Sequence, residues 1–339
     1  IRDKYGDDRK TEIQDVEDEL DIEDLIEEEE CVFTLTRAGY IKRTPASAYR
    51  AQKRGGKGVS AQTLKEEDCV ETVFTASTHD HILFFTSMGR VHRKKGYQIA
   101  EAGRTAKGTN IVNVLPIEQG EKVTAMIHLR EYAEDRYLVM VTRNGTVKRI
   151  SLPVINTARK AGIRCITLDE GDELISVRET DGKQAILIVT HDGMAIAFLE
   201  TDVRCMGRDA TGVRGIKLRE GDYVVGAARA KYDHQVLMVT ENGYGKRTPM
   251  DEYFRADGPQ NRGGYGLKGY QVTEKTGPIA GVKVVSGEED ILIISDDGVI
   301  IRMPVKDINS YSRTAQGVIL MRLQEGVKVI SIARTDHEG

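Results

Sequence analysis

The sequence predicts an all-β fold: a six-bladed β-propeller-like disc with four short strands per blade. Three observations predict it: a hairpin pattern that occurs six times, a glycine-rich pattern in phase with it, and the lack of a convincing amphipathic helix between them. A chain of 339 residues could hold one large all-β domain or two ordinary ones. Because the repeats are continuous, we expect one disc over residues 31–335, preceded by an acidic linker from another domain over residues 1–30.

The first pattern is a β-rich run that ends in a tight turn and continues into a second short strand. Each turn contains Asn-Gly, Asp-Gly or a similar pair, as in "LVMVTRNGTVKR" and "LIISDDGVIIR". Such pairs suit two-residue hairpin turns, whose central residues take positive φ angles. The six turn glycines lie 48 to 56 residues apart and are Gly39, Gly89, Gly145, Gly193, Gly243 and Gly298.

The second pattern is a glycine-rich loop in each repeat, such as "GRTAKG", "GRDATG" or "SRTAQG". Two further β-like runs follow each loop. A unit therefore holds about four short strands in roughly 50 residues, which is the size of a propeller blade. The loops end at Gly58, Gly108, Gly162, Gly212, Gly266 and Gly317.

Charge is divided unevenly along the chain. Residues 1–30 carry fifteen Asp and Glu against four Lys and Arg, whereas residues 31–339 carry 38 against 45. A basic body after an acidic leader indicates a polyanionic partner for the body. We expect the leader to be a solvated connector or, alternatively, a competitor of that partner for the basic rim.

Several classes of protein are disfavoured by composition. No apolar run approaches the roughly 18 residues that span a bilayer. The four scattered cysteines lack a C-x-x-C pair, which favours reduced thiols in a cytosolic protein over a metal site. The chain begins with neither methionine nor a signal peptide, which predicts a fragment of a longer polypeptide.

Basic residues recur at fixed positions of the repeat. The fourth residue after the turn glycine is arginine in five repeats and Ala197 in the fourth repeat, and a basic residue often precedes it. Equivalent positions of a rotational repeat fall on one ring, so these cations predict a positive belt. Pairing with acidic residues of neighbouring blades is the alternative, but five of six favours duplex DNA that follows the rim, bound without sequence specificity.

The stretch "QKRGGKGVS" over residues 52–60 is the fullest of the glycine-rich loops. The phosphate-binding loop of nucleotide hydrolases needs a hydroxyl directly after its lysine, where this stretch has Gly58. Its glycines let backbone N–H groups approach phosphate closely, and Lys53, Arg54 and Lys57 supply charge. The loop is predicted to hold the phosphates of a nucleic acid at the edge of the disc.

These residues carry a resemblance to a known family. "QKRGGKG" resembles the gyrase A-box, Q-R-R-G-G-K-G, with Lys53 in place of the first arginine. The segments "THDHILFFTSMGRV", "IVNVLPIEQGEKVTA" and "ATGVRGIKL" also resemble the C-terminal domain of the DNA gyrase A protein, and the resemblance covers essentially the whole chain. The substitution at Lys53 keeps the charge but loses the planar fork of arginine.

The resemblance implies a β-pinwheel, a propeller whose blades exchange strands. It implies a non-catalytic domain that wraps duplex DNA with positive handedness, so that the parent ATP-dependent type II topoisomerase introduces negative supercoils. The parent is an assembly of two gyrase A and two gyrase B proteins in the cytoplasm, associated with the nucleoid, and uses ATP and Mg. This part would need no cofactor or metal, would be monomeric, and would lack both the DNA-cleaving tyrosine and the ATPase site.

The predicted DNA contacts form two sets. The box residues are Gln52, Lys53, Arg54, Gly55, Gly56, Lys57 and Gly58. The rim residues are Lys42, Arg43, Arg93, Arg104, Lys107, Lys148, Arg149, Arg159, Lys160, Arg208, Lys246, Arg247, Arg262, Arg302 and Arg313.

Three alternatives remain open. The C-terminal domain of topoisomerase IV shares the fold but usually has fewer blades and a degraded box. A protein-interaction propeller of the WD40 or kelch kind would carry Trp-Asp signatures, and this chain has no tryptophan. An enzyme that uses the central channel would need carboxylates or histidines at one repeat position, and none recurs there.

Overall fold

The computed structural model describes residues 22–48, 68, 70–156, 159 and 161–336, and in these ranges the chain forms strands and short 3-10 turns. None of the helices in these ranges has the length and apolar character to span a bilayer. The 3-10 turns are Ile22–Leu25, Ala46–Ala48, Gly96–Gln98, Ile111–Asn113, Leu152–Ile155, Glu200–Asp202, Met250–Tyr253 and Val305–Asp307.

Each repeat opens with the antiparallel hairpin that the sequence predicts. The hairpins are β1 (Glu30–Thr36) with β2 (Tyr40–Pro45), β4 (His81–Thr86) with β5 (Arg90–Lys95), β8 (Tyr137–Thr142) with β9 (Thr146–Ser151), β12 (Ala185–Thr190) with β13 (Met194–Leu199), β16 (Gln235–Thr240) with β17 (Tyr244–Pro249), and β20 (Glu289–Ser295) with β21 (Ile300–Pro304).

The turns differ from the predicted two-residue type. In the first hairpin the N–H of Gly39 donates to the carbonyl oxygen of Thr36 at 2.9 Å, and the N–H of Tyr40 donates to the Thr36 hydroxyl at 3.1 Å. Gly39 has φ +83°, and no described residue other than glycine has positive φ. The loop therefore has three residues, a tight turn followed by a left-handed glycine, so the prediction of a two-residue turn is wrong while the glycine positions are right.

A second long strand of each repeat lies on the inner edge of its sheet. The inner strands are β3 (Val70–Ser77), β7 (Val123–Leu129), β11 (Leu174–Thr180), β15 (Val224–Ala230), β19 (Ile279–Val285) and β23 (Val329–Asp336). From β7 to β23 each inner strand contacts the next, and β23 contacts β3. The rings of Phe74 on β3 and His128 on β7 stack at 5.0 Å, which completes the circle.

The outer edge of a blade comes from the following repeat. In the first sheet the strand order is β3-β1-β2-β6, where β6 belongs to the second repeat. The same exchange occurs in four further sheets, and the last sheet has three strands among the described residues. The outer strands, each two residues long, are β6 (Thr109–Asn110), β10 (Ile163–Arg164), β14 (Val213–Arg214), β18 (Leu267–Lys268) and β22 (Val318–Ile319).

The hydrophobic core lies between the blades. Five clusters of buried residues each join one sheet to the next. Phe33 of the first sheet and Phe84 of the second share one cluster, and Leu237 and Ile293 share another. Alternate side chains of a strand point to opposite faces, and both faces are covered here, so the central strands read as continuous apolar runs.

The end of the acidic leader packs on the second blade. The Glu23 carboxylate lies 2.8 Å from the Lys95 ammonium, and the Glu28 carboxylate lies 2.7 Å from the Arg130 guanidinium. The N–H of Thr78 donates to the carbonyl oxygen of Glu29 at 2.9 Å. Residues 22–30 therefore contact the disc, although the side chains of Glu27 and Glu28 stay exposed, and the role of the leader as a connector stays a prediction.

Candidate nucleic-acid interface

Exposed cations lie on the outermost strands of three consecutive blades. The second residue of β10, β14 and β18 is Arg164, Arg214 and Lys268, and each side chain is exposed. Because these strands close their sheets on the outside, the three cations mark equivalent points of the perimeter. They are absent from the residues predicted from sequence, although each stands two residues after a loop glycine.

The perimeter between the second and third blades holds further cations. Arg90, Arg159 and Arg208 line the same shallow depression as Arg164. Two carboxylates reduce this charge, since Glu118 lies 3.2 Å from the Arg90 guanidinium and Asp209 also lines the depression. The depression can accept an anion that follows the outside of the disc.

Three of the predicted lysine contacts are buried instead. Lys42 and Lys148 are 0% exposed and Lys246 is 1% exposed. The Lys42 ammonium donates to the carbonyl oxygens of Gly103, Arg104 and Ala106 at 3.0, 2.6 and 3.0 Å. All its hydrogens are used, so its prediction as a rim contact is wrong.

Lys148 and Lys246 have the same structural role and correct the prediction in the same way. The Lys148 ammonium donates to the carbonyl oxygen of Cys165 at 2.8 Å and to that of Arg208. The Lys246 ammonium donates to the carbonyl oxygens of Ser312, at 2.7 Å, and Arg313. Burial lowers the pKa of each of these two lysines to about 8. Each lysine anchors the glycine-rich loop of the next repeat.

The predicted arginine row joins one blade to the next repeat. Arg43 donates to the carbonyl oxygen of Ile99 at 2.9 Å and pairs with Glu101 at 2.9 Å. Arg247 donates to the carbonyl oxygens of Ile308 and, at 3.2 Å, Lys306. These guanidinium groups hydrogen-bond the 3-10 turn of the next repeat or the residue that follows it. They therefore join neighbouring blades, whereas the sequence predicted that they would form a free positive belt.

Two other arginines of the row make related contacts. Arg93 donates to the Asn156 side chain at 3.1 Å, and the Arg149 guanidinium lies 3.8 Å from the buried Glu200 carboxylate. Their side chains are only partly exposed. Each adds positive potential at the rim, but its guanidinium is not free to pair fully with a phosphate.

Two positions of the row differ from the rest, the fourth and the sixth. Arg302 is exposed and pairs with Asp290 at 2.7 Å, within its own blade. Ala197 is buried, and its carbonyl oxygen accepts from the N–H of Gln260 at 2.7 Å. The fourth blade therefore reaches the fifth repeat without an arginine from this row.

The loop cations are held close to the protein surface. Lys107 lies 3.6 Å above the centre of the Tyr40 ring. Arg262 donates to the carbonyl oxygens of Asp202 and Arg214 at 2.8 and 3.1 Å, and Arg313 donates to that of Lys268 at 2.5 Å.

Arg313 thus brings a second cation beside the exposed Lys268. Arg104 is partly exposed. The box residues Gln52–Gly58 and Lys160 lie outside the described residues, so their predicted contacts with DNA stay predictions.

One cluster of potential metal ligands has a structural function. Oxygen and nitrogen atoms of His191, Asp192 and Asp222 lie within 4.8 Å of one another. The Asp222 carboxylate accepts from the N–H groups of Asp192 and Tyr223 at 3.0 and 2.8 Å. It caps the hairpin turn, as the Asp172 carboxylate does in the previous blade by accepting from the N–H of Asn144 at 2.9 Å.

Comparison with known proteins decides the family. The family described as "DNA gyrase C-terminal domain, beta-propeller" matches six segments, residues 32–77, 80–129, 136–181, 184–231, 234–286 and 289–336. The chain belongs to this family. The DNA gyrase A protein of Staphylococcus aureus is 47% identical over 346 residues, with 100% of this chain and 38% of the relative covered. That of Clostridium acetobutylicum is 48% identical over 338 residues, covering 100% and 40%.

Solved structures agree on the fold. The C-terminal domain of DNA topoisomerase IV superposes with a TM-score of 0.80 at 26% identity, covering 92% of this chain and 94% of that chain. The DNA gyrase A C-terminal domain superposes with a TM-score of 0.69 at 27% identity, covering 91% and 100%. The chain spans about two fifths of the length of the curated gyrase relatives it matches.

Proposed function

We propose that the chain is the DNA-wrapping part of a DNA gyrase A protein, which bends duplex DNA around its perimeter without reading sequence. The observation that carries the proposal is the series of exposed cations Arg164, Arg214 and Lys268 at equivalent points of consecutive outer strands. Contacts to phosphate position DNA and carry no sequence information. Phosphate contacts arranged along a curved perimeter favour a DNA duplex that is bent around that perimeter.

The energetics favour many contacts acting together. Smooth bending of 20–30 base pairs by 40–90° costs about 1–6 kcal/mol. If roughly ten phosphates are neutralised, the logarithm of the affinity should fall against the logarithm of salt concentration with a slope near −9. The box at residues 52–58 would add to this grip through the charges that its sequence carries.

The activity of the whole enzyme is part of the same proposal. A positive wrap would present a second DNA segment to the cleavage gate, so that the ATP- and Mg-dependent enzyme introduces negative supercoils. The gyrase B protein and the remainder of the gyrase A protein would supply the chemistry, and this chain would do none alone. We expect it to be monomeric and to act in the cytoplasm on nucleoid DNA.

Plasmid topology tests the proposal. Relaxed plasmid would be incubated with the chain and a nicking-closing enzyme, and then deproteinised. A positive wrap predicts a linking number that rises with protein concentration. An unchanged linking number under conditions where DNA binding is demonstrated would exclude wrapping, and a lowered one would exclude positive handedness.

A further inference from the structure

A second group of cations lies on the inner wall of the ring, away from the perimeter. Arg178 is on β11, Arg229 on β15, Lys283 on β19 and Arg334 on β23. These four inner strands contact one another in that order. Three of the side chains are exposed and Lys283 is partly exposed, so solvent reaches all four.

The four cations lie at nearly one level of the wall. In the sheet register Arg178 is opposite Val139 and Lys283 is opposite Leu237, the third residues of β8 and β16. Arg229 and Arg334 are opposite the preceding level, at Ile186 and Ile291. The offset is one residue, about 3.4 Å along a strand.

Close strand packing draws the group together. A Cβ on Gly226 would lie 2.6 Å from Val282, and one on Gly281 would lie 2.7 Å from Ile332. The guanidinium of Arg178 reaches the next strand, where it donates to the carbonyl oxygen of Ala227 at 3.4 Å. The guanidinium of Arg334 reaches β19, donating to the carbonyl oxygen of Val284 at 3.3 Å. Glycine at these crossings lets neighbouring cations approach.

The charge of this group is incompletely neutralised. Arg334 lies 3.5 Å from the Glu289 carboxylate, and the charge of Glu71 acts on Lys283. Among the described residues, the side chains of Arg229 and Lys283 make no hydrogen bond or ion pair, although their backbones pair within the sheets. Of the four cations, Arg334 alone has an ion pair among the described residues.

The cations also influence one another. Desolvation inside the ring, followed by the charges of Arg229 and Arg334, lowers the pKa of Arg178 although solvent reaches its side chain. Burial, followed by the charge of Arg178, lowers the pKa of Lys283 to about 8. Like charges at this proximity oppose each other, and a bound anion would remove that cost.

We infer that this inner-wall cluster binds a compact polyphosphate anion, either inorganic triphosphate or the triphosphate group of a nucleotide. Guanidinium groups match phosphate oxygens in pairs, and three of the four cations are arginines. The four residues come from adjacent strands of a closed ring, which suits a small, highly charged anion. Duplex DNA instead needs the long track that the perimeter provides.

Calorimetric titration of the 339-residue chain with sodium tripolyphosphate, at constant ionic strength, tests the site. We expect one tripolyphosphate per chain and binding weakened about tenfold or more in R229Q/K283Q, which corresponds to about 1.4 kcal/mol or more. The perimeter variant R164Q/R214Q/K268Q should keep its affinity. Equal loss in both variants, or no heat from the wild type at millimolar ligand, would overturn the inference.

Two further measurements complete the test. Arg229 is exposed and makes no contact that the fold needs among the described residues, so R229Q alone should bind more weakly even if the double variant does not fold. ATP, in a parallel titration without Mg, distinguishes the two sources of triphosphate: tighter binding than tripolyphosphate indicates a nucleotide, and equal or weaker binding indicates the inorganic anion. Sulfate that binds as tightly as tripolyphosphate would exclude a polyphosphate site.

Discussion

The ammonium nitrogen of Lys246 lies 2.7 Å from the carbonyl oxygen of Ser312, in the glycine-rich loop of the following repeat. Lys246 is buried within the perimeter, and its neighbour Arg247 holds the 3-10 turn just before the same loop. Adjacent residues of one strand thus fasten two points of the next repeat. The repeated basic pair therefore couples neighbouring blades, and the cations that we propose to contact DNA lie elsewhere.

Replacing Lys246 with methionine should destabilise the disc while leaving its outer charges in place. The carbonyl oxygens of Ser312 and Arg313 would each lose a charged donor, and a hydrogen bond to a charged group contributes about 1.5–3 kcal/mol. Urea denaturation followed by circular dichroism measures the change. Lys217→Met, the same substitution at an exposed position, should change the unfolding free energy by less than about 0.5 kcal/mol. Equal stability of K246M and the wild type would contradict the anchoring role.

Alanine substitutions at Gly266 and Gly221 distinguish the cost of backbone strain from the cost of steric contact. Their φ angles are +76° and +78°, so alanine at either site should cost about 1–2 kcal/mol for its left-handed conformation. A Cβ at Gly266 would also lie 2.3 Å from the carbonyl oxygen of Ala195, whereas a Cβ at Gly221 meets nothing within 4 Å. G266A should therefore have a clearly lower Tm than G221A. The same Tm for both would show that close approach of the loop is unimportant.

Removing the outer cations should weaken DNA binding in a salt-dependent way. The variant R164Q/R214Q/K268Q should bind duplex less tightly and reduce the magnitude of the salt slope by about 2.7, close to 0.9 for each phosphate that is no longer neutralised. Fluorescence anisotropy across a salt series measures both quantities. The charge-matched variant R130Q/R229Q/K283Q, altered at or beside inner strands, should keep the slope. A slope reduced equally in both variants would mean that net charge, and no perimeter track, governs binding.

His81 should make the disc sensitive to acid. Burial, followed by the charges of Lys95 and Arg93, lowers the pKa of His81 to about 4, against 6.5 for the free side chain. Between pH 6.5 and about 4 the unfolded chain binds a proton that the folded chain does not. Stability should therefore fall with decreasing pH, by up to about 1.4 kcal/mol per pH unit from this group.

The variants His81→Phe and His81→Gln isolate that contribution. Each lacks the titrating ring, so the unfolding free energy of either variant, relative to the wild type, should be constant above pH 7 and should rise as the pH falls from 6.5 to 4. Chemical denaturation at each pH supplies the values. A difference that does not vary with pH would contradict the predicted protonation.

The sequence predicts the architecture well because its signals are local. Six turn glycines and six loop glycines give the period, and the apolar runs before each turn, as in Leu138–Val141, give the hairpins. The pattern places the left-handed glycine correctly at Gly39, but a three-residue loop cannot be told from a two-residue one by a single Asn-Gly or Asp-Gly pair. Strand exchange follows from family resemblance alone, since outer strands of two residues have no periodicity to detect.

The site is predicted less well, for a physical reason. Repetition at one position marks a contact that every blade makes, and such a contact can be structural: Lys246 and Arg247 show this. Adjacent residues of a strand point to opposite faces of the sheet, so the exposure of one side chain does not predict the exposure of the next. Arg164 and Arg214 carry a weaker signal, a basic residue two positions after a loop glycine, which recurs in only three repeats.

Strand exchange also governs how the chain can be cut or synthesised in stages. The blade that begins at Ala185 gains its last strand only at Leu267–Lys268. A nascent polypeptide must therefore emerge through Lys268 before that blade is complete, and until then β13 offers open backbone groups to neighbours. Truncation at a boundary between these repeats therefore leaves the preceding sheet without its two-residue outer strand.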